Sequence, residues 1–488
     1  MGVRRRRQVR RPDLGRGDRS GPPRRARRSR PRRREGPACG RDPHPVLVAA
    51  ERRHGRRGDL RARVIRIARR TRRAHREPVV RIAQVTGSLL SPLGGAEQYC
   101  LALAERQAAD GHDVTVVTGW IDEPVRERVA ARGIRLEVVP GNRPYPPDRR
   151  GGSTLDRVRF HAAELLDSLV PNRVLRRLER GAFDVVHVHR FAGFGTAPLR
   201  VRSTRVVHTV HDYSLVDTSA SLVRDGVPLE PGLGVQSARA SLLARFLPRR
   251  LGLVFPSPRT LERHVEWGFP VERFDSAVVP HGWDLGTPDD STAARTLETS
   301  GPETSVDLET SAAPVRFLFL GKLSDHKGVR LLLDAWGDGV DGATLAVGGD
   351  GDLAGAVADA ADASGGTLAS LGWLDADARR REFARADVLV FPSLWPENFP
   401  LVVAEAILSG IPVVTTDIAS PPLVDDGRSG LVVAPNPIDL RWAIDRLTVD
   451  PALRATLSAG AAERSAALDL GAHAAELERR YSAVLHTL

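Results

Sequence analysis

Two glutamates, Glu397 and Glu405, stand eight positions apart and could contact one hydroxyl-rich ligand from two sides. They lie in the segment ADVLVFPSLWPENFPLVVAEAILSGIPVVTTD, residues 386–417. The apolar run 388–391 predicts a buried strand before them, and the run 411–414 predicts a second strand after them. A helix starting near Phe399 to Leu401 must therefore connect the strands, with Glu397 on the preceding loop and Glu405 inside the helix.

The first turn of this predicted helix carries backbone N–H groups that have no acceptor within the helix. Pro400 has no N–H, so the free donors are those of Leu401 and Val402. Together with the helix dipole, these donors can bind an anion without a metal ion. Glu405 lies about one helical turn further in, where its carboxylate can accept hydrogen bonds from a diol such as a ribose. Glu397, on the loop, would face the group attached to the anion.

This segment resembles the retaining glycosyltransferases of family 4, which have the two-domain GT-B fold and use nucleotide-sugar donors. Besides the spacing of the two glutamates, the resemblance rests on Phe399-Pro400, on SGIPVV at 409–414 and on DDGRSGLVV at 425–433. Spacing alone also fits an ordinary βαβ unit whose acidic residues are solvated, but the combination of motifs favours the family.

The resemblance implies a role for each part of the segment. Glu405 is expected to bind the ribose of the donor and Glu397 the transferred sugar, as a catalytic residue. The residues between the two glutamates, namely Phe399, Pro400, Leu401 and Val402, are expected to contact phosphate and sugar, with the backbone amides other than that of Pro400 as donors. No cofactor and no metal ion are implied, because the nucleotide-diphosphate sugar is a substrate.

A second motif, GKLSDHKG at 321–328, follows the predicted strand 317–320. Gly321 and Lys322 begin the loop and Lys327 lies near its end, so two cations stand at the carboxyl edge of the sheet, where open α/β sheets bind ligands. Two lysines can offset the charge of a diphosphate. The family usually has arginine at the first position. With Lys322 the point charge remains, but the bidentate fork of arginine is lost.

Gly94 and Gly95 open the first predicted helix of the N-terminal half, directly after its first strand. A glycine pair lets the backbone approach a ligand and supplies positive φ where it is needed. The loop lacks the GxGxxG spacing of a dinucleotide site, which disfavours an NAD-dependent oxidoreductase. In the family this loop lies near the donor phosphates and the acceptor.

The histidines are the remaining candidates for chemistry. His211, at the end of the predicted strand 206–210, matches the family position of an active-site histidine and is predicted to be catalytic. His187 and His189 are two residues apart and share a strand face, but no third ligand with metal-site spacing is evident. His281, in PHGWDL, stands where the family usually has asparagine. A packed or solvated histidine is the alternative at each position.

The net charge of +12 is not spread along the chain. Residues 1–77 hold 29 arginines and 7 acidic residues, whereas the rest holds 43 basic and 53 acidic residues. The arginine-rich tract has few aromatic residues and predicts disorder rather than a core. It could bind a polyanion, could tether the chain to anionic lipid, or could be a translated upstream stretch without a role. Specific nucleic-acid recognition is not expected.

The chain has two cysteines, Cys39 and Cys100, which excludes a disulfide framework and suits a reducing cytosol. No uncharged apolar stretch is long enough to span a bilayer, and the tract lacks the apolar core of a secretory signal. We therefore expect a cytoplasmic protein, with peripheral contact at the inner face of the membrane as a possibility. The basic stretches 173–180 and 242–251 fit either a membrane surface or a solvated helix face.

Alternating strands and helices predict an α/β protein of the GT-B class, with two Rossmann-like doubly wound domains facing each other across a cleft. We assign 1–77 to the disordered tract, 78–285 to the acceptor-side domain and 286–314 to a flexible linker. Residues 315–470 form the predicted nucleotide-sugar domain, and 471–488 a final helix that packs on the N-terminal domain.

The function implied is transfer of a sugar from a nucleotide-diphosphate sugar to a hydroxyl acceptor with retention at the anomeric carbon. The acceptor could be a glycan, a lipid-linked molecule or a small molecule. No side chain is clearly placed as a nucleophile, so we expect front-side attack in which the leaving phosphate accepts the proton. Two alternatives stay open: a GT-B relative with other sugar-nucleotide chemistry, such as an epimerase, and a non-catalytic basic binding protein.

Overall fold

The computed structural model describes residues 79–141, 143–147, 153–218, 220, 222–224, 227–232, 234–285, 313–419 and 422–482. The arginine-rich tract, including Cys39, and nearly all of the predicted linker 286–314 lie outside these residues, so their predicted disorder and flexibility stay predictions.

The N-terminal half is built on a parallel sheet of seven strands in the order β3-β2-β1-β4-β5-β8-β9. Its strands are β1 Arg81–Leu89, β2 Asp113–Ile121, β3 Arg135–Val138, β4 Val185–Arg190, β5 Arg205–Thr209, β8 Gly252–Phe255 and β9 Asp275–Val278, with a short hairpin of β6 Val223–Arg224 and β7 Val227–Pro228. The helices between them are α1 Gly95–Ala109, α2 Glu123–Ala131, α3 Thr154–Leu169, α4 Arg173–Arg180, α5 Val235–Phe246 and α6 Pro258–Glu266.

The C-terminal half repeats the design with six parallel strands in the order β12-β11-β10-β13-β14-β15. Its strands are β10 Val315–Leu320, β11 Ala343–Gly348, β12 Leu368–Gly372, β13 Val388–Phe391, β14 Val413–Thr416 and β15 Gly430–Val433. Its helices are α7 Val329–Trp336, α8 Ala354–Ala363, α9 Ala376–Arg385, α10 Leu401–Leu408, α11 Pro437–Val449, α12 Pro451–Ser465 and α13 Leu470–Ser482.

The inner strands of each sheet are buried on both faces, which explains why they are largely apolar runs rather than alternating ones, whereas the edge strands β3, β9 and β12 are partly exposed. In β10, Phe317 and Phe319 pack into a core on one face. Leu318 and Leu320 of the same strand pack into a second core on the other face. That second core also contains Val185 of β4 and so joins the two halves of the protein. The two predicted doubly wound domains are confirmed.

The last helix, α13, follows the C-terminal sheet in sequence but packs on α1 of the N-terminal half. Leu477 and Tyr481 of α13 lie in one core with Tyr99 and Leu103 of α1. Helix α13 can pack closely on residue 282 because that residue is glycine. A Cβ at this position would stand 2.6 Å from the Cβ of His473. Residues of both halves therefore meet again near the carboxyl ends of the two sheets.

Candidate functional site

A cleft of about 1070 Å³ lies between the two halves and is lined by residues of both. It contains eleven of the twelve residues predicted to form the site: Gly94, Gly95, His211, Gly321, Lys322, Lys327, Glu397, Phe399, Pro400, Leu401 and Val402. Glu405 is the exception among them. The loops that follow the carboxyl ends of the parallel strands converge at this cleft, as expected for ligand sites of open α/β sheets.

Two helix N-termini face each other across the cleft. Helix α10 begins at Leu401 after Pro400, and α1 begins at Gly95 after Gly94. A Cβ placed on Gly95 would lie 3.7 Å from Leu401 Cδ1, so the two ends approach closely. The backbone of Gly94 has φ −74°, and Gly95 is the first helical residue. Neither glycine has a positive φ, so of the two uses of a glycine pair only the close approach applies here.

Neither of these helices has a side-chain cap. Eight other helices of the described residues do, through Asp122, Ser153, Asn172, Ser257, Asp375, Asn436, Asp450 and Asp469. A side-chain cap would satisfy the orphan N–H donors of the first turn. At the cleft those donors stay available to a ligand, and the helix dipole makes the ligand preferentially anionic.

The predicted phosphate-binding lysines differ in their surroundings. Lys322 is exposed in the cleft. Lys327 donates from Nζ to Glu397 Oε1 at 2.6 Å, and the Ser393 hydroxyl donates to the same oxygen at 2.7 Å. The Glu397 side chain is only 9% exposed. Its carboxylate is therefore held in one orientation, with Lys327 beside it in the cleft.

Glu405 is buried one turn behind the start of α10 and is ion-paired with Arg379 of α9. Burial raises the pKa of the Glu405 carboxyl, and the Arg379 guanidinium opposes that rise. Arg379 lines the cavity and Glu405 does not, so the cleft presents the arginine partner rather than the carboxylate itself. Ribose binding by Glu405 stays a prediction, and Arg379 is a residue that the sequence analysis missed.

His211 lines the cleft at the mouth of β5, with the rings of Tyr99 and His281 each 5.0 Å away, centroid to centroid. Burial, followed by neighbouring histidines, holds the pKa of His211 well below 6.5, so the ring is neutral. Asn398 of the C-terminal half donates from Nδ2 to the His211 carbonyl oxygen at 2.8 Å. Its Oδ1 accepts from Thr260 Oγ1 at 3.0 Å, so Asn398 fastens the two halves at the site.

His281, the departure from the family pattern, is 2% exposed and bridges the halves. Its ring lies 4.1 Å from Tyr99 of the N-terminal half and 4.9 Å from Phe399 of the C-terminal half, centroid to centroid. The histidine thus takes part in the aromatic packing at the cleft.

One further residue that the sequence analysis did not single out is Trp373, which follows β12 directly and lines the cleft. Its side chain is 61% exposed, unusual for so large an apolar surface. Its position after a strand of the ligand-binding edge is the signal by which the sequence could have identified it.

Within the described residues, no group of three or more histidine, cysteine or acidic side chains is arranged to hold a metal ion. In the same part of the chain, no helix combines the length and apolarity that a membrane span requires.

Two family matches cover the two halves of the chain. Residues 93–286 match the family described as Glycosyltransferase Family 4. Residues 314–450 match the family described as Glycosyl transferases group 1. The first contains α1 and His211, and the second contains both lysines and both glutamates.

Similar proteins span most of the chain. The phosphatidyl-myo-inositol mannosyltransferase of Mycolicibacterium smegmatis is 26% identical over 417 residues, which cover 83% of this chain and 94% of that protein. A glycosyltransferase of Methanocaldococcus jannaschii is 24% identical over 370 residues, covering 73% and 86%. Among solved structures, HepE of Anabaena in complex with UDP and glucose is 18% identical with a TM-score of 0.59, covering 83% of this chain and 100% of that one. Sucrose-phosphate synthase of Thermosynechococcus elongatus is 19% identical with a TM-score of 0.61, covering 84% and 100%. The predicted GT-B class is confirmed.

Proposed function

Because this chain belongs to glycosyltransferase family 4 and transfers a sugar from a nucleotide sugar with retention, we propose that its donor binds in the C-terminal half of the cleft, with the acceptor hydroxyl on the N-terminal side. The observation that carries the proposal is the pair of uncapped helix N-termini facing each other beside Lys322 and Lys327. Donors of this kind suit a diphosphate that gains charge as it leaves.

The diphosphate is assigned to the start of α10. The N–H groups of Leu401 and Val402 belong to the first helical turn, and Lys322 supplies a cation from the loop after the neighbouring strand β10. Gly95 adds no side chain to the gap between the two helices, where a Cβ would stand 3.7 Å from Leu401 Cδ1. Lys327 then adds its charge at the junction of the diphosphate and the sugar.

The ribose is assigned to Glu405, which requires Arg379 to share the carboxylate or to move. Two ribose hydroxyls can donate to the Glu405 carboxylate, which in this structure is paired with the Arg379 guanidinium. A displaced Arg379 would stay in the cavity as a cation close to the nucleotide. The nucleobase is assigned to Trp373, whose exposed indole offers a stacking surface to any base.

The transferred sugar is assigned to the space between Glu397 and His211. Glu397 accepts hydrogen bonds from Lys327 and Ser393, which fix its orientation toward a sugar hydroxyl. Neutral His211 can exchange a hydrogen bond with a hydroxyl of the sugar or of the acceptor. Because Lys327 and Ser393 already engage Oε1 of Glu397, we assign no nucleophilic role to this carboxylate. The leaving phosphate oxygen takes the proton of the attacking hydroxyl on the same face.

The experiment is a thermal-shift screen with uridine-, guanosine- and adenosine-diphosphate sugars, followed by product analysis with the donor that stabilises most. We expect one base to raise Tm and the product to contain a new glycosidic bond with the anomeric configuration of the donor. Lys322→Met should abolish most of the shift. A shift that persists in Lys322→Met would refute the diphosphate assignment. A product with no new glycosidic bond would point to the epimerase alternative.

We assign the acceptor to a hydroxyl carried at an anionic lipid surface. The mannosyltransferase relative is named for a phosphatidyl-myo-inositol substrate, which supports a lipid acceptor. An apolar row on α3 and at its C-terminal end faces solvent, with Leu155, Val158 and Leu166 of the helix and Val170 directly after it each 56–59% exposed. We call this row the α3 stripe.

The charges around the α3 stripe suit anionic lipid. Glu164 and Asp167 of α3 are both engaged by Arg143, at 2.9 and 2.6 Å. Three arginines of the adjacent α4 are exposed on one face, namely Arg173, Arg176 and Arg180. An apolar row beside outward cations is the pattern of a helix lying in a membrane interface.

Co-sedimentation of the full chain with phosphatidylglycerol and phosphatidylcholine vesicles tests this surface. The triple variant Leu155→Ser, Val158→Ser, Leu166→Ser should lose most of its binding to the anionic vesicles. The matched control is Ile438→Ser with Val449→Ser on α11, where the side chains are 80% and 78% exposed. Both proteins keep residues 1–77, so the difference between them reports the α3 stripe. Equal binding by both would reject this surface as the lipid contact.

A further inference from the structure

A chain of hydrogen bonds runs from the last helix to the histidine of the cleft. His211 Nε2 lies 3.2 Å from His189 Nδ1, and His189 Nε2 lies 2.6 Å from Gln84 Oε1. Gln84 Nε2 donates to Gln107 Oε1 at 2.5 Å. Gln107 Nε2 donates to the Tyr481 hydroxyl at 3.3 Å.

The hydrogen-bond network continues from Tyr481 to two strands of the N-terminal sheet. The Tyr481 hydroxyl lies 2.7 Å from His187 Nδ1, and His187 Nε2 lies 2.7 Å from Thr209 Oγ1. All the groups behind His211 are buried, with at most 1% of each side chain exposed. The hydrogen-bond network behind His211 therefore joins β1, α1, β4, β5 and α13 without contact with solvent.

With the side-chain amides of Gln84 and Gln107 in these orientations, each group donates to the next one in the direction from His211 toward Tyr481. His189 must donate from Nε2, because Gln84 Oε1 can only accept. A neutral His189 then has a lone pair on Nδ1, so His211 must donate to it from Nε2. Burial holds the pKa of His189 well below 6.5 and lowers that of His187 to about 3, so both rings are neutral. His211 is left with an unprotonated Nδ1, and its ring lines the cleft.

We propose that His189, Gln84, Gln107 and Tyr481 are positioning residues that hold His211 as the Nε2–H tautomer, so that Nδ1 accepts a hydrogen bond from a hydroxyl of the bound sugar or acceptor. The proposal rests on the proposed function for the identity of that hydroxyl. Tyr481 belongs to α13, which follows the C-terminal half in sequence. The docking of the last helix therefore sets the hydrogen-bonding character of a residue in the cleft.

Nitrogen-15 NMR of histidine-labelled full-length protein tests the tautomer without any substrate. The His211 signals, assigned by their loss in His211→Gln, should show a protonated Nε2 and an unprotonated Nδ1. In Tyr481→Phe the hydroxyl that accepts from Gln107 and donates to His187 is gone, so the two tautomers of His211 should both be populated. A protonated Nδ1 in the unaltered protein would overturn the proposal.

Kinetics then separate positioning from mere structural support. Tyr481→Phe should lower kcat about tenfold, the factor expected for one lost hydrogen bond, with little change in the KM for the donor. His189→Gln, which can both accept and donate, should retain more activity than His189→Leu. Tyr145→Phe is the matched control, since the Tyr145 ring stacks on Phe160 and is not part of this hydrogen-bond network.

The outcomes are distinguishable. An active protein whose kcat and His211 tautomer are the same in Tyr481→Phe and His189→Leu would overturn the inference and leave the proposed function standing. Absence of transfer from every nucleotide sugar would refute the proposed function, while the NMR experiment would still decide the tautomer.

Discussion

The ion pair between Lys327 and Glu397 leads to a stability prediction that the structure makes quantitative. Lys327→Met keeps the side-chain length and removes the charge, which leaves the Glu397 carboxylate without its cation. The two side chains are 25% and 9% exposed, with Nζ 2.6 Å from Oε1. Removing one partner of a fully buried pair costs about 3–5 kcal/mol. Ser393 still donates to the carboxylate and part of the lysine faces solvent, so we expect about 2 kcal/mol.

The assay is urea unfolding at neutral pH without nucleotide, in a double-mutant cycle with Glu397→Gln. The double variant has no orphan charge, so it should lose about 1 kcal/mol less than the sum of the single losses. Lys322→Met is the control, because Lys322 is exposed and the described residues show no ion pair for it. Its unfolding free energy should change by less than about 0.5 kcal/mol.

Donor affinity and stability should separate in these variants. Both Lys322→Met and Lys327→Met should weaken binding of the nucleotide diphosphate, but only Lys327→Met should destabilise the protein. Additive losses in the double variant, or equal destabilisation by the two lysine variants, would refute the reasoning that Lys327 orients a largely buried carboxylate.

Three further predictions concern the base, the ribose and acid stability. Trp373→Ala should weaken nucleotide binding about tenfold by calorimetry, since stacking contributes about 1–3 kcal/mol, whereas Trp442→Ala, at 50% exposure on α11, should not change it. Glu405→Gln should weaken the parent nucleotide diphosphate but not its 2′,3′-dideoxy analogue, and an equal loss for both would exclude ribose contact. Burial lowers the pKa of His264 from 6.5 to about 4. The unfolded chain then binds the extra proton more readily, so the stability that neutral His264 contributes is complete above pH 6.5 and is lost as the pH falls toward 4. The unfolding free energy of His264→Phe should therefore fall by up to about 3 kcal/mol less than that of the parent protein between pH 6.5 and pH 4. An unchanged pH profile of the unfolding free energy would contradict this.

The strands and the start of the critical helix could be predicted because they depend on neighbours in sequence. The apolar run 388–391 is β13, and α10 begins at Leu401, inside the predicted interval. Apolar runs must be buried, and Pro400 suits the position before a helix because it lacks an N–H. Such signals are local, so one sequence is enough to read them.

The partners of the charged side chains could not be predicted in this way. Arg379 reaches Glu405 across 26 positions, and Lys327 reaches Glu397 across 70. Long side chains have many rotamers, and only the packing of α9 and of the loop after β10 selects one of them. The sequence therefore predicts Glu405 at the ribose without its guanidinium partner, and predicts Lys327 and Glu397 as separate ligand contacts.

By itself, the sequence determined the family, the two doubly wound halves and most of the residues that meet at the cleft, because motif, periodicity and turn chemistry are written over short stretches of chain. The tertiary structure alone decided how the histidines are used. His187, His189 and His211 are connected through Gln84 and Gln107 to Tyr481, which is 374 positions from Gln107. No local pattern specifies a contact of that separation. It exists because α13 returns to pack on α1, and a buried polar group must then find its hydrogen-bond partner wherever the fold has brought one.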